Sequence, residues 1–173
     1  YVQLYEYEAY TNDQQLFDLG DDNDFIEIYT HSDVNVKVLA GDGDDEIHLY
    51  FRYLDAGDGD DTVRITTNRD NIFNVDFLDG GSGNDQITVN GGTDILATSL
   101  GSDIITVSKN TGNLTITDFD TSKDKFKFMV PSNKVSATGN VITVNNEGSL
   151  GNYIITLSNN PDLTDLSLFS TFV

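Results

Sequence analysis

Four short glycine- and aspartate-rich segments of this chain share one nine-residue frame. They are LGDDNDFIE at 19–27, AGDGDDEIH at 40–48, AGDGDDTVR at 56–64 and GGSGNDQIT at 80–88. In this frame Gly stands at the second place, Gly or Asp at the fourth, Asp at the sixth, and Ile or Val at the eighth. Two weaker copies follow, VNGGTDILA at 89–97 and TSLGSDIIT at 98–106. A fixed short period of this kind is typical of a solenoid, in which each unit buries its apolar face only against its neighbours.

The segment GGSGNDQIT resembles the nonapeptide of the RTX (repeats-in-toxin) family, G-G-x-G-x-D-x-U-x, which is a calcium-binding β-helix repeat. The resemblance covers about residues 19–115, with departures such as Asp22 at a fourth place and Ser99 at a second place. It implies an all-β fold, a right-handed parallel β-roll (β-solenoid) with calcium-binding turns and short capping strands at both ends. It also implies a domain that is disordered without calcium and folds when calcium binds.

The residue types explain why such a repeat binds calcium. Glycine reaches the positive φ angles of a sharp turn at little cost, and the last three places form a strand whose eighth-place side chain points inward. Successive turns stacked ~4.8 Å apart would bring the sixth-place carboxylates into one column, where they repel one another. Calcium relieves this repulsion because it takes six to eight oxygen ligands from carboxylates and carbonyls.

The spacing of the sixth-place aspartates assigns them to one edge. The steps from Asp24 to Asp45, Asp61, Asp85 and Asp103 are 21, 16, 24 and 18 residues, which scatter around two nonapeptides per turn. The predicted metal ligands of this edge are these aspartates and the turn residues Gly20, Asp22, Gly41, Gly43, Gly57, Gly59, Gly81 and Gly83. With further sites beyond this edge, we expect about four to six calcium ions.

Two further places add weaker candidates. On the opposite edge only NGGTD keeps the motif, which makes Gly92 and Asp94 candidates, whereas Asp33 and Asp70 stand in irregular turns. The segment LTITDFDTSKDKFKFMV at 114–130 resembles the stretch that closes RTX repeats, so Asp118 and Asp124 are predicted to complete the last site. The alternative for that segment is a hairpin turn with solvated acids.

Composition limits the partners and the chemistry. The chain of 173 residues has 9 basic and 29 acidic residues, a formal net charge of −20, which disfavours nucleic acids and anionic membranes. It has no cysteine, no apolar run of the ~20 residues that a membrane span needs, and no motif of an enzyme active site. His31 and His48 stand apart, without a partner motif. We therefore expect no catalysis here, and any such activity would lie in a missing N-terminal region.

The predicted organisation has three parts. Residues 1–18 form an N-terminal capping strand region, 19–115 the β-roll, and 116–173 capping strands with a secretion-signal region that resembles the C-terminus of type I secreted RTX proteins. The first residues lack the basic start and apolar stretch of a signal peptide, so we expect a piece of a longer precursor or export without an N-terminal signal.

The predicted function is an extracellular or bacterial cell-surface calcium-binding module with a structural or assembly role. Open alternatives are an adhesin or lectin-like module that binds cell-surface glycans, self-association in a lattice or filament, and an accessory domain of a larger secreted enzyme or toxin. Ice binding is disfavoured because the threonine rows do not persist along the repeats.

Overall fold

A computed structural model gives the tertiary structure. The residues it describes are 2–4, 15–28, 36–49, 53–66, 75–91, 93–108, 111–145, 151–159, 161, 163, 165–168 and 170–173. Gly92, Asp33, Asp70 and His31 lie outside these ranges.

The described residues form short β-strands, two single-turn 3₁₀ helices at Ser132–Lys134 and Leu166–Leu168, and no α-helix. The strands are β1 (Val2–Leu4), β2 (Gln15–Asp18), β3 (Phe25–Ile28), β4 (Val36–Leu39), β5 (Glu46–Leu49), β6 (Tyr53–Asp55), β7 (Thr62–Thr66), β8 (Val75–Asp79), β9 (Ser82–Gly83), β10 (Gln86–Asn90), β11 (Thr93–Ala97), β12 (Leu100–Gly101), β13 (Ile104–Val107), β14 (Leu114–Ile116), β15 (Lys125–Phe128), β16 (Val135–Thr138), β17 (Val141–Val144), β18 (Tyr153–Leu157) and β19 (Ser170–Phe172). The predicted all-β class is confirmed. Neither helix in the described ranges is long and apolar enough to cross a membrane.

Most strands belong to two sheets, and the chain passes repeatedly from one to the other. The first sheet has the order β1-β3-β5-β7-β10-β13-β15-β19 and is parallel throughout. The second has the order β2-β4-β6-β8-β11-β14-β18-β17-β16, parallel as far as β18 and antiparallel in its last two pairings. Parallel pairing therefore extends beyond residues 19–115 on both sides.

The eighth-place residues of the repeat line the core. Parallel register joins Ile26, Ile47, Val63, Ile87 and Ile105 across five neighbouring strands of the first sheet, and each of them is fully buried. They belong to one hydrophobic cluster with residues of the second sheet. Burying such a side chain is worth about 1.5–3 kcal/mol, so this row contributes much of the stability of the first sheet.

Aromatic side chains close the C-terminal part of the core. The Phe119 and Phe126 rings stack with centroids 4.5 Å apart, Phe126 and Phe128 follow at 5.3 Å, and Phe128 and Phe172 at 5.5 Å. Beside them, β16, β17 and β18 form an antiparallel meander at the end of the second sheet. The last parallel strands are thus covered by residues from the C-terminal segment.

Candidate metal site in the glycine–aspartate loops

Five loops of equal length lead into strands β3, β5, β7, β10 and β13 of the first sheet. We number them in chain order: 19–24, 40–45, 56–61, 80–85 and 98–103. In the third loop, Gly57 has a φ of 95°, and a Cβ there would overlap the carbonyl oxygen of Gly41 in the loop before it. Positive φ and close stacking both require glycine here. The two substitutions in the frame keep this backbone shape, since Asp22 has a φ of 89° and Ser99 a φ of 62°.

Backbone hydrogen bonds hold the loops against one another. The N–H groups of Asp42, Asp58 and Ser82, all at the third place, donate to the second-place carbonyls of the preceding loops at 3.2, 2.8 and 2.8 Å. Leu100 continues the series at 3.0 Å. Equivalent residues of all five loops are therefore in register, although the chain between them varies in length.

The sixth-place aspartates form a hydrogen-bonded column. The N–H of each one donates to Oδ1 of the next: Asp24 to Asp45 at 2.7 Å, Asp45 to Asp61 at 2.9 Å, Asp61 to Asp85 at 2.9 Å, Asp85 to Asp103 at 2.9 Å, and Asp103 to Asp124 at 3.2 Å. We call these six residues the aspartate column. The column contains the five aspartates that the sequence analysis assigned to one edge, and Asp124 extends it by one residue at its C-terminal end.

The second carboxylate oxygen is the unusual feature of this column. Oδ2 of Asp45, Asp61, Asp85 and Asp103 is buried and has no hydrogen-bond partner among the described residues. The four side chains are between 0 and 2% exposed. A buried carboxylate oxygen without a donor is costly, and one occurs in each of four successive turns, where a bound proton or a cation would compensate it.

Burial also changes the acidity of these groups. Loss of water raises the pKa of Asp61 to about 7, that of Asp103 to about 7 and that of Asp85 to about 6, and raises the pKa of Asp45 from its usual range. The hydrogen bond from the preceding aspartate N–H opposes this effect, and neighbouring carboxylates reinforce it. Without a cation, Asp61 and Asp103 are therefore partly protonated near neutral pH.

These groups fit a hard cation with mixed oxygen ligands. No three side chains of His, Asp or Glu in the described ranges converge as a metal-binding group. A cation beside the column would therefore bind one or two of the Oδ2 atoms and take its remaining ligands from main-chain carbonyls or water. Calcium accepts such a set, because it takes six to eight oxygens in flexible geometry.

A second ladder lies on the exposed side of the column, and the sequence reasoning missed it. At the fifth place, the N–H of Asp44 donates to Asn23 Oδ1 at 3.1 Å, Asp60 to Asp44 at 2.9 Å, Asn84 to Asp60 at 2.7 Å, and Ser102 to Asn84 at 3.1 Å. We call these five residues the outer ladder. The nine-residue repeat contained a signal for this ladder, because each fifth place holds a short polar side chain.

The C-terminal end of the column differs from its middle. Asp124 accepts hydrogen bonds at both oxygens, from the N–H of Asp103 and from Asp120 N–H at 2.8 Å and Thr98 Oγ1 at 3.1 Å. Asp118 likewise accepts from Thr98 N–H at 2.8 Å and Ser99 N–H at 2.9 Å. Protein donors thus occupy the oxygens of the two aspartates that were predicted to complete the last site.

The opposite edge carries no comparable column among the described residues. Asp94 lies within β11 and is 6% exposed, and its register partners are Asp76 on one side and Leu114 on the other. His48 lies on the outer face of the first sheet, with Nε2 3.1 Å from Glu46 Oε1 and Nδ1 3.8 Å from Glu27 Oε1. The two glutamates meet different ring nitrogens and do not converge on one point.

A scan against family models finds no match for this chain, and a search of curated proteins finds none either. The resemblance to RTX repeats therefore rests on the residues of the repeat itself.

Proposed function

We propose that this chain is a calcium-binding module of the RTX type that folds on calcium. The observation that carries the proposal is the set of four stacked, buried carboxylates, each with one oxygen that lacks a donor. Bound calcium would supply two positive charges and accept those oxygens together with carbonyl or water oxygens. The net charge of −20 makes the metal-free folded chain self-repelling, so the energy of binding becomes energy of folding.

The proposal extends to the architecture. Strands of the two sheets alternate along the chain, and each loop stacks on the equivalent loop of the preceding turn. We infer a β-roll in which each turn contributes one strand to each sheet. Five stacked loops leave four gaps between neighbours, so the aspartate column would hold about four ions.

The residues have separate tasks in such a site. In the four column aspartates whose Oδ2 lacks a donor, Oδ1 binds the neighbouring turn, which holds the carboxylate in one orientation. Oδ2 then remains for the cation. The second- and fourth-place glycines bring consecutive loops close enough for carboxylates of two turns to face one gap.

We also propose an extracellular location, because such a module needs calcium to fold. Extracellular calcium modules work with dissociation constants of about 10⁻⁴–10⁻³ M, and a chain of this charge would remain unfolded until it met such calcium. That behaviour suits export before folding, including the type I route, and a structural role at the cell surface.

Far-UV circular dichroism and size-exclusion chromatography, with calcium and with a chelator, test the proposal. We expect β-structure and a compact elution volume in millimolar calcium, and an expanded, disordered chain after chelation. Magnesium is the control, because it demands near-octahedral geometry and should restore little structure. Unchanged β-structure after chelation would refute calcium-dependent folding.

A further inference from the structure

The five loops carry very different charges. The first, second and third loops each contain three aspartates, whereas the fourth contains only Asp85 and the fifth only Asp103. The buried carboxylate with an oxygen that lacks a donor nevertheless occurs in both groups. The feature that points to a cation is thus shared by loops that differ threefold in negative charge.

The outer ladder shows that stacking the loops does not require this extra charge. Asp44 and Asp60 accept the N–H of the next fifth-place residue at 2.9 and 2.7 Å. Asn23 and Asn84 accept the equivalent N–H at 3.1 Å without any charge. A neutral amide therefore suffices for this hydrogen bond, so the charges of Asp44 and Asp60 are available for another role.

These exposed charges act on the column beside them. Asp44 and Asp60 directly precede Asp45 and Asp61 in the chain, and their ladder hydrogen bonds hold them against the next turn at 2.9 and 2.7 Å. The negative charges of Asp44 and Asp60 attract a divalent cation into the gap beside them.

The C-terminal end is built in the opposite way. Backbone N–H groups and the Thr98 hydroxyl satisfy the oxygens of Asp118 and Asp124. Basic side chains also concentrate in this part of the chain, at Lys123, Lys125, Lys127 and Lys134. Less negative charge needs to be compensated here, and protein donors already provide part of the compensation.

We propose that the column contains two classes of calcium position. The gaps among the first three loops bind calcium more tightly and make the N-terminal turns strictly dependent on it. The gaps around Asp85 and Asp103 bind it more weakly, and the C-terminal turns hold together largely by protein contacts. This inference rests on the proposed calcium function and assigns an order to its sites.

Calorimetric calcium titrations at low ionic strength of the full chain and three variants test this order. D44N removes an outer charge between the first and third loops and keeps the acceptor of the Asp60 N–H. We expect it to weaken the tighter class roughly fivefold. N84D adds a charge to the fourth loop, at the loss of the bond from Asn84 Nδ2 to Asp60 Oδ1 at 3.1 Å, and should strengthen the weaker class by a similar factor. The control D165N has the same charge change as D44N at an exposed site outside the loops, and its titration should match the wild type.

Hydrogen exchange measured at a series of calcium concentrations is a second test of the order of the sites. We expect the segments 36–49 and 53–66 to gain more protection with calcium than 111–128. Absence of any calcium heat in the wild type would overturn the calcium function itself. Clear binding in a single class, with D44N indistinguishable from D165N and all segments protected in parallel, would instead refute the two classes and leave the calcium function standing.

Discussion

Replacing Asp85 by Asn should stabilise the metal-free fold and reduce the further stabilisation that calcium adds. Asp85 is 0% exposed, and its Oδ1 accepts the Asp61 N–H at 2.9 Å. Asn keeps that acceptor and places a neutral amide where the buried Oδ2 has no donor. The substitution thus removes one charge while leaving the stacking contact in place.

The size of the metal-free effect follows from the acidity of Asp85. Its pKa is raised from 3.8 to about 6, so keeping it ionised in the folded, metal-free state above pH 7 costs about 3 kcal/mol. D85N removes this cost, so the variant should be more stable than the wild type in chelator by up to that amount. In calcium the same variant loses a ligand charge shared by two gaps, and we expect at least about tenfold weaker binding, or about 1.4 kcal/mol.

Urea unfolding near pH 8, followed by circular dichroism in calcium and in chelator, measures both effects. If the wild-type chain is already unfolded in chelator, the same effect appears as more residual β-structure in D85N than in the wild type. D165N, with the same charge change at an exposed site, serves as the control. A variant that is less stable than the wild type in both conditions would show that Asp85 acts through packing, which would refute the charge argument.

Three further expectations follow from the structure. The folded-state pKa of Asp61, Asp85 and Asp103 exceeds the unfolded value of 3.8, so their protons stabilise the metal-free fold fully below about pH 4. This stability is lost as the pH rises to about 7. Chelated protein should therefore show more β-structure by circular dichroism near pH 5 than near pH 8, whereas calorimetry should show weaker calcium binding near pH 5. G57A should prevent compact folding in calcium, because its Cβ would overlap a carbonyl of the preceding loop, whereas G139A, at φ 60° in open space, should cost only about 1–2 kcal/mol in urea unfolding. D118A leaves the Thr98 and Ser99 N–H groups without their acceptor and should lower the free energy of unfolding at saturating calcium by about 2–3 kcal/mol. The number of bound calcium ions should stay the same. Loss of one ion would show instead that Asp118 is a ligand.

The nine-residue pattern alone predicts much of the candidate site. The second-place glycines, the sixth-place aspartates and the inward Ile or Val at the eighth place all follow from a nine-residue frame that is visible in the sequence. Backbone conformation and strand alternation depend on neighbouring residues, so the frame predicts the turns, the all-β class and the residues of the core row.

Other features depend on residues 16–24 positions apart and were decided only by the stacking of turns. The sequence does not show that, in four of the column aspartates, one oxygen binds the neighbouring turn while the other lacks a donor. Nor does it show that Asp118 and Asp124 receive protein donors, or that Leu114 stands beside Asp94 on the opposite edge. By itself the sequence determined which residue types recur and at what period. The tertiary structure decided which of their oxygens remain for a cation, because that depends on which donors the neighbouring turn brings within hydrogen-bond distance.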